Sequence, residues 1–270
     1  MTSDVSTGVV RADGANLYFE RRGQGPALLF VSGGGGDAGM YTTVATALSG
    51  QYTTITYDRR GNSRSELQTI APFRIEQQSE DAFAVLEHNG IAAATVFGSS
   101  AGALIGLDLA TRRPETVDLL IAHEPPAIGV LEDSDTWSAF FDGVRSTFDE
   151  EGVGPALLKF MSSVTRADDK QRDQEAMQRV ESNWSFFLKY EMQEIIEYLP
   201  DLEQLARNRV PTVFAAGQGS RGRYYFLSAV ALAQRLGVEF VEFPGHHMAY
   251  MDDPPSFEIM LRRVLDRCMS

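Results

Sequence analysis

The segment Thr95-Val96-Phe97-Gly98-Ser99-Ser100-Ala101-Gly102-Ala103 decides how this chain reads. Ala94–Phe97 is a short apolar run, and Ala101–Thr111 is a longer, mostly apolar one at helical length. Between them stands Gly-x-Ser-x-Gly, centred on Ser100. A nucleophile on a sharp strand-to-helix turn needs small neighbours, because the backbone there is strained and closely packed. Gly98 and Gly102 supply that space. The turn lifts the Ser100 hydroxyl to the carboxyl edge of a sheet, at a helix N-terminus that favours developing negative charge.

Working outward, the same alternation recurs. Upstream, Val9-Val10, Asp13-Gly14 and Asn16–Glu20 predict a hairpin with a tight turn. Ala27–Val31 predicts a strand buried on both faces, running into Ser32 and four glycines, Gly33 to Gly36. Tyr41–Leu48 predicts a helix, Tyr52–Tyr57 a strand, and Glu76–His88 an amphipathic helix with Ala82, Val85 and Leu86 on one side. Downstream, Leu119–Ala122 predicts a strand. The pattern resumes later with the strand Pro211–Ala216, a helix over Tyr224–Leu236, the strand Val238–Phe243 and a last helix, Pro255–Arg267. Strands alternating with helices imply an α/β fold with a mostly parallel sheet flanked by helices.

The alternation stops between Ala127 and Arg209. Helical patterns there cover Asp135–Glu150, Pro155–Ser163, Lys170–Leu188 and Glu191–Tyr198, with no strand pattern. The expected organisation is a core of residues 1–126 and 210–270 interrupted by a helical insert over 127–209. The insert is rich in aromatic residues, among them Trp184, Phe187 and Tyr190.

Composition limits the function classes. The formal net charge of −13 opposes broad nucleic-acid binding or attachment to anionic lipid, which need clustered cations. No apolar stretch reaches the length of a membrane helix, and the opening MTSDVSTGVV lacks the pattern of a secretion signal. A cytoplasmic protein is the resulting expectation. Cys268 is the single cysteine, so neither an intrachain disulfide nor a zinc site of several thiolates is available. No Gly-Lys-Ser/Thr follows the glycine run, so that loop does not read as a phosphate cradle.

On the Ser100 motif and its strand–turn–helix context, the chain resembles the α/β-hydrolase superfamily from about residue 15 to its end. The resemblance implies the α/β-hydrolase fold, a mostly parallel eight-stranded sheet with a helical cap inserted after strand six. It also implies a serine nucleophile, a histidine base, an acid and an oxyanion hole, with no cofactor. A serine hydroxyl needs such a base to take its proton. The superfamily places its histidine after the last strand, in a Pro-Gly-x-His pattern. Pro244-Gly245-His246-His247 matches, so the base is expected at His247, with His246 its neighbour.

The acid departs from the commoner family position. The turn after strand seven reads Ala216-Gly217-Gln218-Gly219-Ser220-Arg221 and holds no carboxylate. A neutral Gln218 would orient an imidazole without offsetting its charge. The other family position, just after strand six, reads His123-Glu124-Pro125-Pro126, which puts the acid at Glu124, with Asp133 and Asp135 as alternatives further into the insert. A glutamate after strand six, in a His-Glu-x-Pro segment, also resembles the fungal zearalenone lactone hydrolases. The resemblance extends to Arg21–Gly23, Asp58–Ser65 and Gly98–Gly102.

The resemblance implies oxyanion donors at the Ala101 amide and at Gly33 or Gly34. Asp58–Ser65 is expected to be a structural turn with an internal Asp58–Arg60 ion pair. The expected reaction is serine hydrolysis of a carboxylic ester or lactone of an apolar or aromatic small molecule. Trp184, Phe187, Tyr190 and Met248 are the expected substrate contacts. The partner is that small-molecule substrate, and a homodimer is left open. A ligand-binding receptor, a cofactor-free oxygenase and a perhydrolase on the same scaffold are the alternatives. Epoxide hydrolase and haloalkane dehalogenase chemistry is disfavoured, because Ser100 stands where those enzymes carry aspartate.

Overall fold

The computed structural model describes residues 5–69, 72–164 and 182–268. Its sheet has eight main strands: β1 (Val5–Ala12), β2 (Ala15–Arg22), β3 (Ala27–Val31), β4 (Thr53–Tyr57), β5 (Ala94–Ser99), β6 (Val117–His123), β7 (Thr212–Gly217) and β8 (Glu239–Phe243). They lie in the order β1-β2-β4-β3-β5-β6-β7-β8, and a two-residue strand, Glu66–Leu67, pairs with β2 as a ninth. The β1–β2 and β2–β4 pairings are antiparallel and the rest of the path is parallel. The first hairpin turns at Asp13-Gly14, with Ala12 opposite Ala15. Gly14 there takes φ +69°, a conformation glycine adopts without steric cost.

Continuous apolar runs form the central strands because helices cover both faces of the sheet. Side chains alternate between two cores. Leu29, Val31, Val96 and Leu120 face one, with α2 (Ile75–His88), α3 (Ala101–Arg112) and α8 (Tyr224–Leu236). Leu28, Phe30, Phe97 and Ile121 face the other, with α1 (Thr42–Leu48), α9 (Ala249–Asp252) and α10 (Pro254–Cys268).

No strand lies between β6 and β7 among the described residues. That stretch holds α4 (Ser134–Glu151), α5 (Val153–Val164), a π-helical turn Phe187–Glu191, α6 (Met192–Glu197) and α7 (Leu202–Asn208). The π turn and α7 were not expected from the sequence. Residues 170–181 of the expected helix Lys170–Leu188 lie outside the described residues. Phe141, Phe187 and Ile195 carry the insert onto the first core. The carboxyl ends of β3, β5, β6 and β8 thus open beneath the insert, where open α/β sheets place their sites.

Candidate active site

Ser100 sits between β5 and α3 with φ +57° and ψ −126°, a strained conformation for a residue with a side chain. Hydrogen bonds hold it there. Its amide donates to the His123 carbonyl at 2.9 Å, and its carbonyl accepts from the Ala103 amide at 2.9 Å. A Cβ on Gly98 would run into the Gly102 carbonyl, and one on Gly102 into the Val31 carbonyl. The two glycines let helix α3 start against the strand ends.

Glu124 follows β6, fully buried and also at positive φ, +51°. One carboxylate oxygen accepts from the Gly217 amide at 2.7 Å. The other meets Nδ1 of His247, in the loop after β8. Burial pushes the Glu124 carboxyl up, but the nearby His123 and His247 imidazoles outweigh it, and its pKa lies below the usual value. A carboxylate accepts, so His247 donates through Nδ1 and keeps Nε2 as its open nitrogen. The Tyr225 ring packs on the imidazole at 4.4 Å between centroids.

A cavity of about 230 Å³ lies over these groups. Ser100, Ala101, Gly33, Gly34 and His247 are in its wall, and so are Trp184, Phe187 and Met248. Most of the remaining wall is apolar, with four further methionines, Met40, Met161, Met192 and Met251. Asp37 is its carboxylate, and no lysine or arginine lines it among the described residues.

Three glycines of the loops around the cavity seat aromatic rings of the insert. A Cβ on Gly34 would enter the Phe187 ring; on Gly35 it would stand 2.9 Å from Trp184 and on Gly61 2.5 Å from Phe186. The glycine run after β3 therefore also serves as a socket for the insert. Gly33 packs against the elbow, since a Cβ there would lie 3.0 Å from the Ser100 Cβ.

Several expectations need correction. Tyr190 does not line the cavity; its ring packs at a tilt against Phe186, 5.1 Å between centroids. Asp133 and Asp135 are exposed, and Asp133 accepts from the Trp137 indole at 3.0 Å instead of meeting His247. Gln218 is exposed too, in a turn after β7. Asp58 does not pair with Arg60. It accepts from the Ala38 amide at 2.9 Å and from Arg64 at 2.7 and 2.9 Å, while Arg60 forms a bidentate pair with Asp81 of α2 at 2.6 Å.

No sequence motif marks Arg59, Glu191 or Asn183. Arg59 and Glu191 are fully buried and paired at 2.8 Å. Burial opposes the Arg59 charge, and the Glu191 carboxylate more than offsets it, so the guanidinium pKa is raised. Asn183 donates to the Gly35 carbonyl at 3.1 Å and accepts from the Ser63 amide at 2.8 Å. Among the described residues no cluster of His, Cys, Asp or Glu is arranged to hold a metal ion, and no helix is long and apolar enough to cross a membrane.

Comparison with known proteins places this geometry. The model of the alpha/beta hydrolase fold family matches residues 26–254. The chain is 37% identical to the Uncharacterized hydrolase YraK of Bacillus subtilis (strain 168), over 97% of each chain. It superposes on Est816, described as an N-acyl homoserine lactone degrading enzyme, with a TM-score of 0.77 at 19% identity, over 95% of this chain and 99% of that one. The enol-lactonase from Burkholderia xenovorans LB400 gives a TM-score of 0.70 at 20% identity, over 96% and 100%. The strained elbow serine, the strand order and these matches lead to one conclusion: the chain belongs to the alpha/beta hydrolase family.

Proposed function

We propose that this protein hydrolyses neutral, apolar carboxylic esters or lactones through an acyl-enzyme on Ser100, with His247 as base and Glu124 as acid. The observation that carries the reading is the buried Glu124–His247 hydrogen bond at the wall of a cavity that also holds the strained Ser100. Residues 127–209 act as the cap over that cavity, and residues 1–126 and 210–270 as the core.

In the first step Nε2 of His247 takes the Ser100 hydroxyl proton as Oγ bonds to the substrate carbonyl carbon. The carbonyl π electrons move to oxygen. That oxyanion is held by the Ala101 amide at the start of α3 and by an amide of the glycine run. Gly34 is favoured over Gly33 there. The Gly33 carbonyl accepts from Arg59 at 3.0 Å, and a planar trans peptide turns the Gly34 N–H to the opposite side. Collapse of the oxyanion breaks the bond to the leaving oxygen, which takes the proton from His247. Water then gives its proton to His247, attacks the acyl carbon and releases Ser100 with its proton restored. In a lactone the leaving oxygen stays tethered, so one hydroxy acid results. Glu124 keeps His247 in the Nδ1–H tautomer and offsets the imidazolium charge.

The cavity wall supports the neutral, apolar class. Its charged side chain is the carboxylate of Asp37, and an anionic substrate would find no cation among the described lining residues. The test is a fluorophosphonate probe with peptide mapping, heat-denatured protein as control, and p-nitrophenyl butyrate turnover. A single adduct on Ser100 in native protein, with turnover abolished in Ser100→Ala, is expected. Natively folded protein that takes no adduct and turns over no ester would overturn the reading in favour of a receptor or cofactor-free oxygenase.

A further inference from the structure

No bond-making step proposed above involves the Arg59–Glu191 ion pair, which ties the insert to the loop beneath it. Arg59, in the turn after β4, sends Nη2 to the Gly33 carbonyl at 3.0 Å and to Glu191 Oε2 at 2.8 Å. Its Nη1 donates to Glu191 Oε1 at 3.0 Å. Asn62 donates to the same Oε1 at 3.1 Å. Glu191 closes the π-helical turn that begins at Phe187, the residue whose ring sits on Gly34. Asn183 holds the Gly35 carbonyl from the same stretch of the insert.

Two carbonyls of the loop are therefore held from the insert, Gly35 directly by Asn183 and Gly33 through Arg59, with the Gly36 amide a second donor to Gly33 at 3.2 Å. A planar peptide fixes its N–H once its C=O is fixed. Stability alone does not account for the pair, because a buried ion pair replaced by packed apolar side chains is often no less stable. A π turn inside a helix also widens it locally, and such turns gather at functional sites.

We infer that Arg59 and Glu191 are positioning residues, which make the oxyanion-binding orientation of the Gly33–Gly34 peptide conditional on seating of the insert segment 183–191. The inference rests on the hydrolase reading. Seating Phe187 on Gly34 completes the acyl cavity, and the same event aims the amide that stabilises the transition state. Substrate enclosure and oxyanion stabilisation are one conformational step.

The test compares wild type with Arg59→Lys and with the double variant Arg59→Met/Glu191→Met. Lysine keeps the buried charge but lacks the fork that reaches Gly33 and both Glu191 oxygens together. The double variant removes both charges and leaves neither uncompensated. Each is assayed for binding of an alkyl trifluoromethyl ketone, which forms a tetrahedral oxyanion adduct, and of the matching methyl ketone, which occupies the cavity without one. Steady-state kcat and KM are taken with p-nitrophenyl butyrate. Circular dichroism checks the fold.

The expected result is trifluoromethyl ketone binding weakened by about tenfold or more, since a lost oxyanion donor costs about a hundredfold or more in kcat. Methyl ketone binding stays within about twofold, and kcat falls while KM holds. Unchanged selectivity in a folded variant overturns the inference, and so does equal weakening of both ketones, which marks a loosened cavity only. If the double variant does not fold, Arg59→Lys decides alone. Wild type that neither turns over the ester nor prefers the trifluoromethyl ketone defeats the hydrolase reading itself, and the inference falls with it.

Discussion

Glu124 and His247 meet in a buried carboxylate–imidazole hydrogen bond across 123 positions of sequence. Each is also fixed from a second direction, Glu124 by the Gly217 amide and His247 by the Tyr225 ring. The carboxylate sets the tautomer, and the ring sets the tilt. If the proposed roles hold, Glu124→Gln keeps the shape and loses the charge. It is expected to lower kcat about 10³- to 10⁴-fold with KM little changed. Gln218→Ala should stay within about twofold of wild type, since Gln218 is exposed. Steady-state kinetics on p-nitrophenyl butyrate checks both.

Ser100 holds φ +57° although it carries a side chain. Glycine adopts that conformation without steric penalty. Ser100→Gly is therefore expected to abolish the proposed esterase activity while raising the unfolding free energy by about 1 kcal/mol. Ser100→Ala keeps the Cβ and should abolish activity without that gain. Urea denaturation of the three proteins compares them.

Acid should unfold the protein in two windows. Burial lowers the His123 pKa from 6.5 to about 4, so the unfolded chain binds a proton that the folded chain refuses between those values. Stability is complete above about pH 6.5 and falls by roughly 3 kcal/mol as the pH drops to about 4. The Glu124 carboxyl is depressed instead, so its contribution is present above about 4.5 and is lost as pH falls through its lower folded value. Urea titrations from pH 8 to pH 3 should show the upper slope vanish in His123→Phe. A slope that survives that substitution would assign the upper window elsewhere.

The glycines should divide by what a Cβ meets. At Gly34 it meets the Phe187 ring, which a second substitution removes. Gly34→Ala should depress activity and destabilise, and Phe187→Ala should relieve part of that loss, with a coupling of about 1 kcal/mol or more in a double-mutant cycle. At Gly98 the Cβ meets backbone of Gly102, which no side-chain change moves. Gly98→Ala should cost several-fold more, about 3 kcal/mol or above. Gly50 has nothing within 4 Å, and Gly50→Ala should be within about 0.5 kcal/mol of wild type. Thermal melts rank the three.

Much of this was legible in the sequence because it is local. An apolar run ending at Gly98 and a helix starting at Ala101 define the elbow, and the family pattern around His247 lies within four residues. What was missed is set by tertiary placement. Asp58 and Arg60 stand two apart, but Arg60 finds Asp81 on α2 and Asp58 finds Arg64 six residues further along the same turn. A buried arginine looks like any surface arginine in sequence, and the partner of Arg59 is 132 positions away. Tyr190, like Trp184 and Phe187, is expected from the sequence to contact substrate. The π turn Phe187–Glu191 widens the spiral there and carries Tyr190 off their face.

The methionines of the cavity wall carry a consequence of their own. Met40, Met161, Met192, Met248 and Met251 line the cavity proposed to accept the substrate. Thioethers are soft and unbranched, so the wall can reshape around different acyl chains. The same sulfurs are targets for peroxide. Each sulfoxide formed would set a strong dipole into a mostly apolar lining. The Tyr250 hydroxyl, 3.2 Å from the Met248 sulfur, would be a donor for that one. Oxidative stress would thus change what this protein accepts before it touched the serine, the histidine or the glutamate.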